Sequence, residues 1–253
     1  MGMGCILCLL CAATSGLAGS MPFAVVSGNF IYARAGAGGQ ESSISYQVEA
    51  ANYHGIEAWR IAWSDARMDA VHYIRRGDGA PLYTRRVNHV RQETVQISYS
   101  LDPAKPHIYR RETPNETLVR RIHQPGLIDM GTLPQVLSGL QATRESGKLR
   151  FFAIDYSDGQ VYALVARRVG YAKLANAGAG VRCAIYEANL DSWKAAFNPA
   201  VHLDVPTRAG LANFAAYSGP DPAGSGEITT LRMLSRSSDV AALSVAGKAV
   251  LAH

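Results

Sequence analysis

The strongest constraint on this chain is a succession of short segments in which apolar and polar residues alternate, each closed by a turn signal. Ser42 to Ala50 sets Ile44, Tyr46 and Val48 on one side and polar side chains on the other. A period of two marks a strand with one buried face. Ile56 to Ser64 repeats the pattern, with Trp59, Ile61 and Trp63 on one face and Ala58, Arg60 and Ala62 on the other. Ala70 to Arg76 runs into the turn Gly77-Asp78-Gly79, and Pro81 to Asn88 returns from it. Thr94 to Ser100 alternates Val95, Ile97 and Tyr99 against Gln96 and Ser98. His107 to Arg111 and Thr117 to His123 flank Thr113-Pro114-Asn115. Leu149 to Tyr156 and Gln160 to Tyr171 flank Asp158-Gly159, a specific hairpin signature. Val181 to Leu190, Ala200 to Val205 and Leu211 to Tyr217 extend the series. Local turns between such segments make antiparallel neighbours. A sheet of roughly nine to eleven strands must curl, close or split into two layers.

One helix interrupts the strands. Thr132-Leu133-Pro134-Gln135 reads as a capping box with proline in the first turn, followed by Val136, Leu137 and Leu140 at helical spacing. Asp191 is expected to cap a second, short helix carrying Trp193, Ala196 and Phe197 and stopped at Pro199. The expected class is therefore mainly β (α+β). Its architecture is a strongly curved antiparallel sheet, a half-barrel or open barrel, with one or two helices packed on the concave side. The organisation read from the chain is a signal peptide over 1–20, a flexible N-terminal segment over 21–40, a curved β domain over 41–217, and a loosely packed or disordered tail over 218–253.

The leader reading rests on charge. No charged residue precedes Arg34, Cys5 to Ala13 form an apolar run, and Thr14 to Ser20 are mostly small. That is the layout of an export signal, with cleavage after Ala18 or Ser20, and it places the mature protein in the periplasm or outside the cell. Cys5, Cys8 and Cys11 leave with the leader. Cys183 then stands alone, so no internal disulfide can form. A content of 48% hydrophobic and 18% charged residues fits a folded protein. The net charge of +5 is weak support for nucleic acid and fits acidic lipid or polysaccharide equally well; no nucleic-acid partner is expected.

Chemistry-bearing motifs are sparse. Five arginine pairs occur: Arg75-Arg76, Arg85-Arg86, Arg110-Arg111, Arg120-Arg121 and Arg167-Arg168. Neighbours on a strand point to opposite faces, so each pair puts one guanidinium on each side of the sheet. One set could line a groove and hold carboxylates or phosphates. The simpler reading leaves the pairs near strand ends, with their stems over apolar surface and their charge in water. The histidines show no metal-ligand spacing. Asp155 and Asp158 are accounted for by turn chemistry. Cys183, beside Ala184 and Ile185, reads as a small buried hydrophobe. No nucleophile elbow or phosphate loop is present. No catalytic residue, metal site or cofactor is expected.

The order of elements resembles that of uncharacterised bacterial periplasmic proteins built on the LolA/LolB-type lipoprotein-carrier half-barrel. The residues that carry the likeness are Gly55-Ile56, Gly79-Ala80-Pro81-Leu82-Tyr83, and Ile128-Asp129-Met130 running into Leu133 to Leu140. Val161 to Val169, Arg182-Cys183-Ala184-Ile185 and Pro199 to Val205 follow in order. The resemblance covers roughly residues 40 to 217 and implies lipid or lipoprotein handling in the envelope. It offers no catalytic residue to carry over. The function expected first is a periplasmic binding or carrier module for a hydrophobic or anionic ligand such as a lipid or acyl chain. Its apolar wall would include Trp59, Ile61, Trp63, Phe152 and Ile154, and its rim Arg60, Arg76 and Arg121. The alternatives are an envelope structural or interaction protein without a ligand, which could have an envelope protein as partner, and, behind both, a hydrolase.

Overall fold

The structure, a computed structural model, describes residues 25–36, 41–143, 148–174, 180–191, 200–208, 210–221 and 228–237. Eight strands come first: β1 (Gly28–Gly36), β2 (Glu41–Tyr53), β3 (Ile56–Ser64), β4 (Met68–Arg75), β5 (Pro81–Asn88), β6 (Glu93–Ser98), β7 (His107–Glu112) and β8 (Thr117–Ile122). A 3-10 turn (Met130–Thr132) then leads into the helix α1 (Leu133–Thr143). Six strands complete the chain: β9 (Lys148–Ile154), β10 (Val161–Leu174), β11 (Val181–Leu190), β12 (Val201–Pro206), β13 (Ala216–Pro220) and β14 (Ile228–Ser237). All fourteen belong to one antiparallel sheet in the order β8-β7-β6-β5-β4-β3-β2-β1-β14-β13-β12-β11-β10-β9. Every neighbour in that order except the β1–β14 pair is also a neighbour in sequence.

The sheet does not close. Its edges are β8 and β9, and the excursion between them contains α1. Across this seam, Leu127 forms a parallel bridge with Phe152, and the Ile128 amide donates to the Phe152 carbonyl at 2.9 Å. The β9–β10 turn is clasped from the other side. Tyr109 Oη donates to the Tyr156 carbonyl at 2.9 Å, Arg111 Nη1 to Ser157 O at 2.9 Å, and Arg120 Nε to Asp158 O at 2.7 Å. Side chains of β7 and β8 thus hold the turn where ladder bonds would otherwise have closed a barrel.

The alternation read from the chain becomes an inside and an outside. On β4, Met68, Ala70, His72 and Ile74 are buried, while Asp69, Val71, Tyr73 and Arg75 are half-exposed. The inner face carries Phe30, Tyr32, Ile44, Tyr46, Val48 and Ile61. These pack with Leu133, Val136 and Leu137 of the helix and with Phe151, Tyr186, Leu203 and Phe214. Among the described residues, no helix is long and apolar enough to cross a membrane.

Several expectations meet differences. The capping box does not form. Asp129 caps the 3-10 turn by accepting from the Gly131 amide, and Thr132 Oγ1 donates to the Asp129 carbonyl. Gln135, expected to reach back, instead donates to Tyr46 Oη at 2.6 Å. A buried tyrosine hydroxyl needs a partner, and that tertiary requirement overrides the local motif. β1 lies within the expected N-terminal flexible segment. The end of β13 and all of β14 lie within the expected tail, because Leu231 and Met233 line up on one face and pair into the ladder opposite Arg34 and Tyr32. The leader 1–20, the helix expected at 192–199 and residues 238–253 lie outside the described residues.

Candidate functional site

The inner wall encloses a cavity of about 470 Å³. Most of its lining is apolar or aromatic. Tyr32, Ile44, Tyr46 and Trp63 come from β1 to β3, and Met68 and Val95 from β4 and β6. Leu133 and Pro134 begin the helix, Ile154 ends β9, and Leu203, Phe214, Tyr217 and Leu231 come from the later part of the chain. Tyr32 stacks on Phe214 at 4.4 Å between centroids, and Tyr46 meets both rings edge-on. The exposed lining residues are Arg91 and Ser157. Solvent therefore meets the cavity beside Arg86, Asn88, Glu93 and Asp155, which also line it.

Beside this polar end lies a buried network centred on Asp129, which is 1% exposed. Its carboxylate accepts from Thr84 Oγ1 at 2.6 Å, Tyr99 Oη at 2.7 Å, Tyr156 Oη at 2.8 Å and the Gly131 amide at 2.9 Å. His72 Nδ1 lies 2.9 Å from the same carboxylate and 3.1 Å from Thr84 Oγ1. The tautomer follows from counting protons. Thr84 spends its single hydroxyl proton on Asp129, and a carboxylate only accepts, so Nδ1 carries the hydrogen. Burial alone would raise the Asp129 pKa. His72 and the hydroxyl donors outweigh it and hold the carboxyl well below its ordinary range. Burial, then the adjacent Asp129 charge, pushes the Tyr99 and Tyr156 hydroxyls well above theirs, so both remain donors.

Local structure places each member. His72 and Thr84 face each other across the β4–β5 ladder. The segment after β8 crosses the seam and drops Asp129 onto this pair. Gly131 completes the approach: a Cβ at this position would lie 2.2 Å from His72 Cε1 and 2.4 Å from Nε2. Only a residue without a side chain lets the 3-10 turn pass this close to the imidazole. Arg86, two positions beyond Thr84, points the same way. Its guanidinium sits 3.9 Å from the centroid of the Tyr156 ring, and Nη2 lies 3.4 Å from Met68 Sδ. Burial pushes the Arg86 pKa down, against the nearby phenol and carboxylates. Glu93 at the polar end is held at 2.8 Å by Arg111.

The residues expected to form a site are distributed as follows. Trp63 and Ile154 line the cavity. Ile61 is fully buried in the core beside it, and Trp59 packs against that core. Phe152, 38% exposed, faces outward, because β9 turns Phe151 and Ala153 to the inside. Arg60 lies on the outer face, paired with Glu49 at 2.8 Å. Arg76 follows the end of β4 and stacks 4.9 Å over Trp59. Arg121 is exposed on the outside of β8. The arginines at the cavity are instead Arg86 and Arg91. Arg34, also turned inward, is clamped by the buried carboxylates of Asp65 and Asp221, the second at 2.5 Å. Sequence reading missed His72, Asp129 and Arg86 as site residues. The available signal was Asp129 itself, a lone acid between Ile128 and Met130 just before the helix.

No protein-family model matches the chain, and no curated protein matches it. Among solved structures, the β-barrel-like protein of domain of unknown function DUF1849 from Brucella abortus aligns with a TM-score of 0.53 at 10% identity. The match covers 83% of this chain and 97% of that one. A "putative lipoprotein" from Parabacteroides distasonis aligns with a TM-score of 0.32 at 8% identity, over 86% of this chain and 99% of the other. A DUF1329 family protein from Desulfovibrio piger gives a TM-score of 0.23 at 12% identity, over 85% of each chain. Of these three, the first, described as β-barrel-like, shares the fold. None of the three names refers to the LolA/LolB group.

Proposed function

We propose that this protein is an exported binding or carrier module of the cell envelope. It holds one hydrophobic or amphiphilic ligand, an acyl chain or a lipid-like molecule, inside its curved sheet. The observation that carries this reading is the cavity of about 470 Å³, walled by aromatic and aliphatic side chains and polar only at one end. Its size falls within the ~300–1,000 Å³ of small-molecule sites and suits a single chain better than a two-chain lipid. Each methylene moved from water into such a wall contributes about 0.8 kcal/mol. A chain of about ten therefore gains enough to outweigh the loss of its own freedom.

The chain acts without turnover in this reading. The lining residue with an aliphatic hydroxyl is Ser157, and its Oγ bonds to Asp155, not to His72. Organic extraction of the purified exported protein followed by mass spectrometry tests the proposal. About one equivalent of lipid-like material is expected, together with saturable uptake of a fluorescent fatty acid that Leu203→Trp blocks. A clean extract and no uptake would leave the second reading, an envelope structural protein filled by its own side chains.

A further inference from the structure

The β10–β11 hairpin continues beyond the core that it helps to wall. On one face Arg168 stands opposite Tyr186, Tyr171 opposite Ala184, and Lys173 opposite Arg182. Ala184 and Tyr186 are buried in the core, whereas Tyr171 is 49% exposed and Lys173 and Arg182 are exposed. The guanidinium carbons of Arg168 and Arg182 lie 5.3 and 4.3 Å from the centroid of the Tyr171 ring. Arg208, also exposed, follows Thr207, which donates its amide and its hydroxyl to the Arg182 carbonyl at 2.9 and 3.0 Å. No acid occurs in the sequence between Asp158 and Glu187. Glu187 itself is taken by Arg167 at 2.9 Å and by Asn189 at 2.8 Å. Among the described residues, Arg168, Lys173 and Arg182 have no carboxylate partner. Like charges directly opposite each other weaken a ladder, so an anion lying against this end of the sheet relieves a cost built into it.

We propose that this end of the hairpin is a docking surface for an anionic phospholipid bilayer. Charge complementarity gives the sign of the partner, because Arg168, Lys173, Arg182 and Arg208 gather on a stretch of sheet without acids. The uncharged neighbours give its kind. Tyr171 lies among the cations, and Val169, 48% exposed, sits at the bulge between Arg168 and Gly170. A tyrosine ring suits the boundary between lipid head groups and water. The long arginine and lysine stems cover apolar surface while their charged ends reach phosphate oxygens. A soluble polyanion would engage the charges and leave the aromatic and aliphatic surface in water. The proposal goes beyond the binding reading and does not depend on it. Tyr171 lies near the opposite end of β10 from Asp155 and Ser157, which line the cavity, and none of the four cations is among the described residues that line it.

The test is co-sedimentation of the full chain with vesicles of pure phosphatidylcholine and of phosphatidylcholine mixed with phosphatidylglycerol. Partition onto the mixed vesicles is expected to be at least about tenfold stronger and to weaken as salt rises. Each cation near an anionic surface strengthens partition about fivefold. Replacing Arg168, Lys173 and Arg182 together by Gln should therefore weaken it about a hundredfold. The combination Arg85→Gln, Lys105→Gln and Arg121→Gln removes the same charge from other exposed positions and should weaken it less than about fivefold. If the first triple variant fails to fold, the single exposed change Lys173→Gln and the wild-type ratio between the two vesicle types still decide. A wild type without preference for the mixed vesicles, or equal losses in the two triple variants, would overturn the proposal. So would a sulfated dextran bound as tightly as the mixed vesicles, which would assign the surface to a soluble polyanion. Uptake of the fluorescent fatty acid, read on the same samples, reports the cavity separately, so either reading can fail without the other.

Discussion

Asp129 draws five donors onto one buried carboxylate, and its contribution to folding depends on pH in a defined direction. Its pKa in the folded protein lies below its ordinary value, which for an unfolded chain is about 3.9. The unfolded chain therefore binds the proton first as pH falls. The stabilisation is fully present above about pH 4 and is lost progressively below it, towards the folded pKa. Asp129→Asn should cost about 3 kcal/mol at pH 7, because the new amide hydrogens confront hydroxyls that already point inward. Urea denaturation between pH 7 and pH 2 checks this: the wild type should lose stability steeply below pH 4, and the variant should lose less. Equal acid slopes in the two proteins would refute the network's role. At this scale the sequence was only partly readable. Val95, Ile97 and Tyr99 declared their face by alternation alone, as did Ile61 and Trp63. His72 and Asp129 did not, because their contact is made by a ladder register and a chain crossing that no local spacing encodes.

At the scale of elements, the β9–β10 hairpin shows how far turn chemistry carries. Asp158-Gly159 announced the turn, and the structure gives Gly159 a φ of +70°. What the dipeptide did not announce is that a Cβ here would lie 2.5 Å from the ring of Tyr109 on β7. Two costs therefore add at one position. A left-handed backbone penalises any side chain by about 1 kcal/mol, and crowding a packed ring adds about 1–3 kcal/mol. Gly180, with a φ of +63° and nothing within 4 Å of its would-be Cβ, isolates the first cost. Gly159→Ala should lower the unfolding free energy by roughly 2–4 kcal/mol, and Gly180→Ala by about 1 kcal/mol. Chemical denaturation of the two variants side by side separates strain from crowding, and equal losses would show that Tyr109 simply gives way. The helix was read correctly in place, including its start at Leu133, but not in the bonds that cap it. Its first turn is set by Asp129 and by the needs of Tyr46, not by Thr132 and Gln135.

At the scale of the whole molecule, the curved antiparallel class followed from the number of alternating segments and the shortness of the turns between them. The strand count did not. β1 and β14 were missed because each is completed by the other, and neither shows its pattern strongly alone: Phe30 and Tyr32 meet Arg236 and Met233 only after the rest of the sheet has curled. Closure of that pair spans almost the whole described chain, so it is expected to form late in folding.

Asn29 stands directly across the ladder from Ser237. The described chain thus starts and finishes on touching strands, a loop lacking a single joint. A short glycine-serine bridge from 237 back to 25, with new ends cut at the exposed Asp78, should give a circular permutant with the same far-ultraviolet spectrum and an undiminished capacity for the fluorescent fatty acid. Segments joined at 25 and at 237 would leave from one rim, side by side.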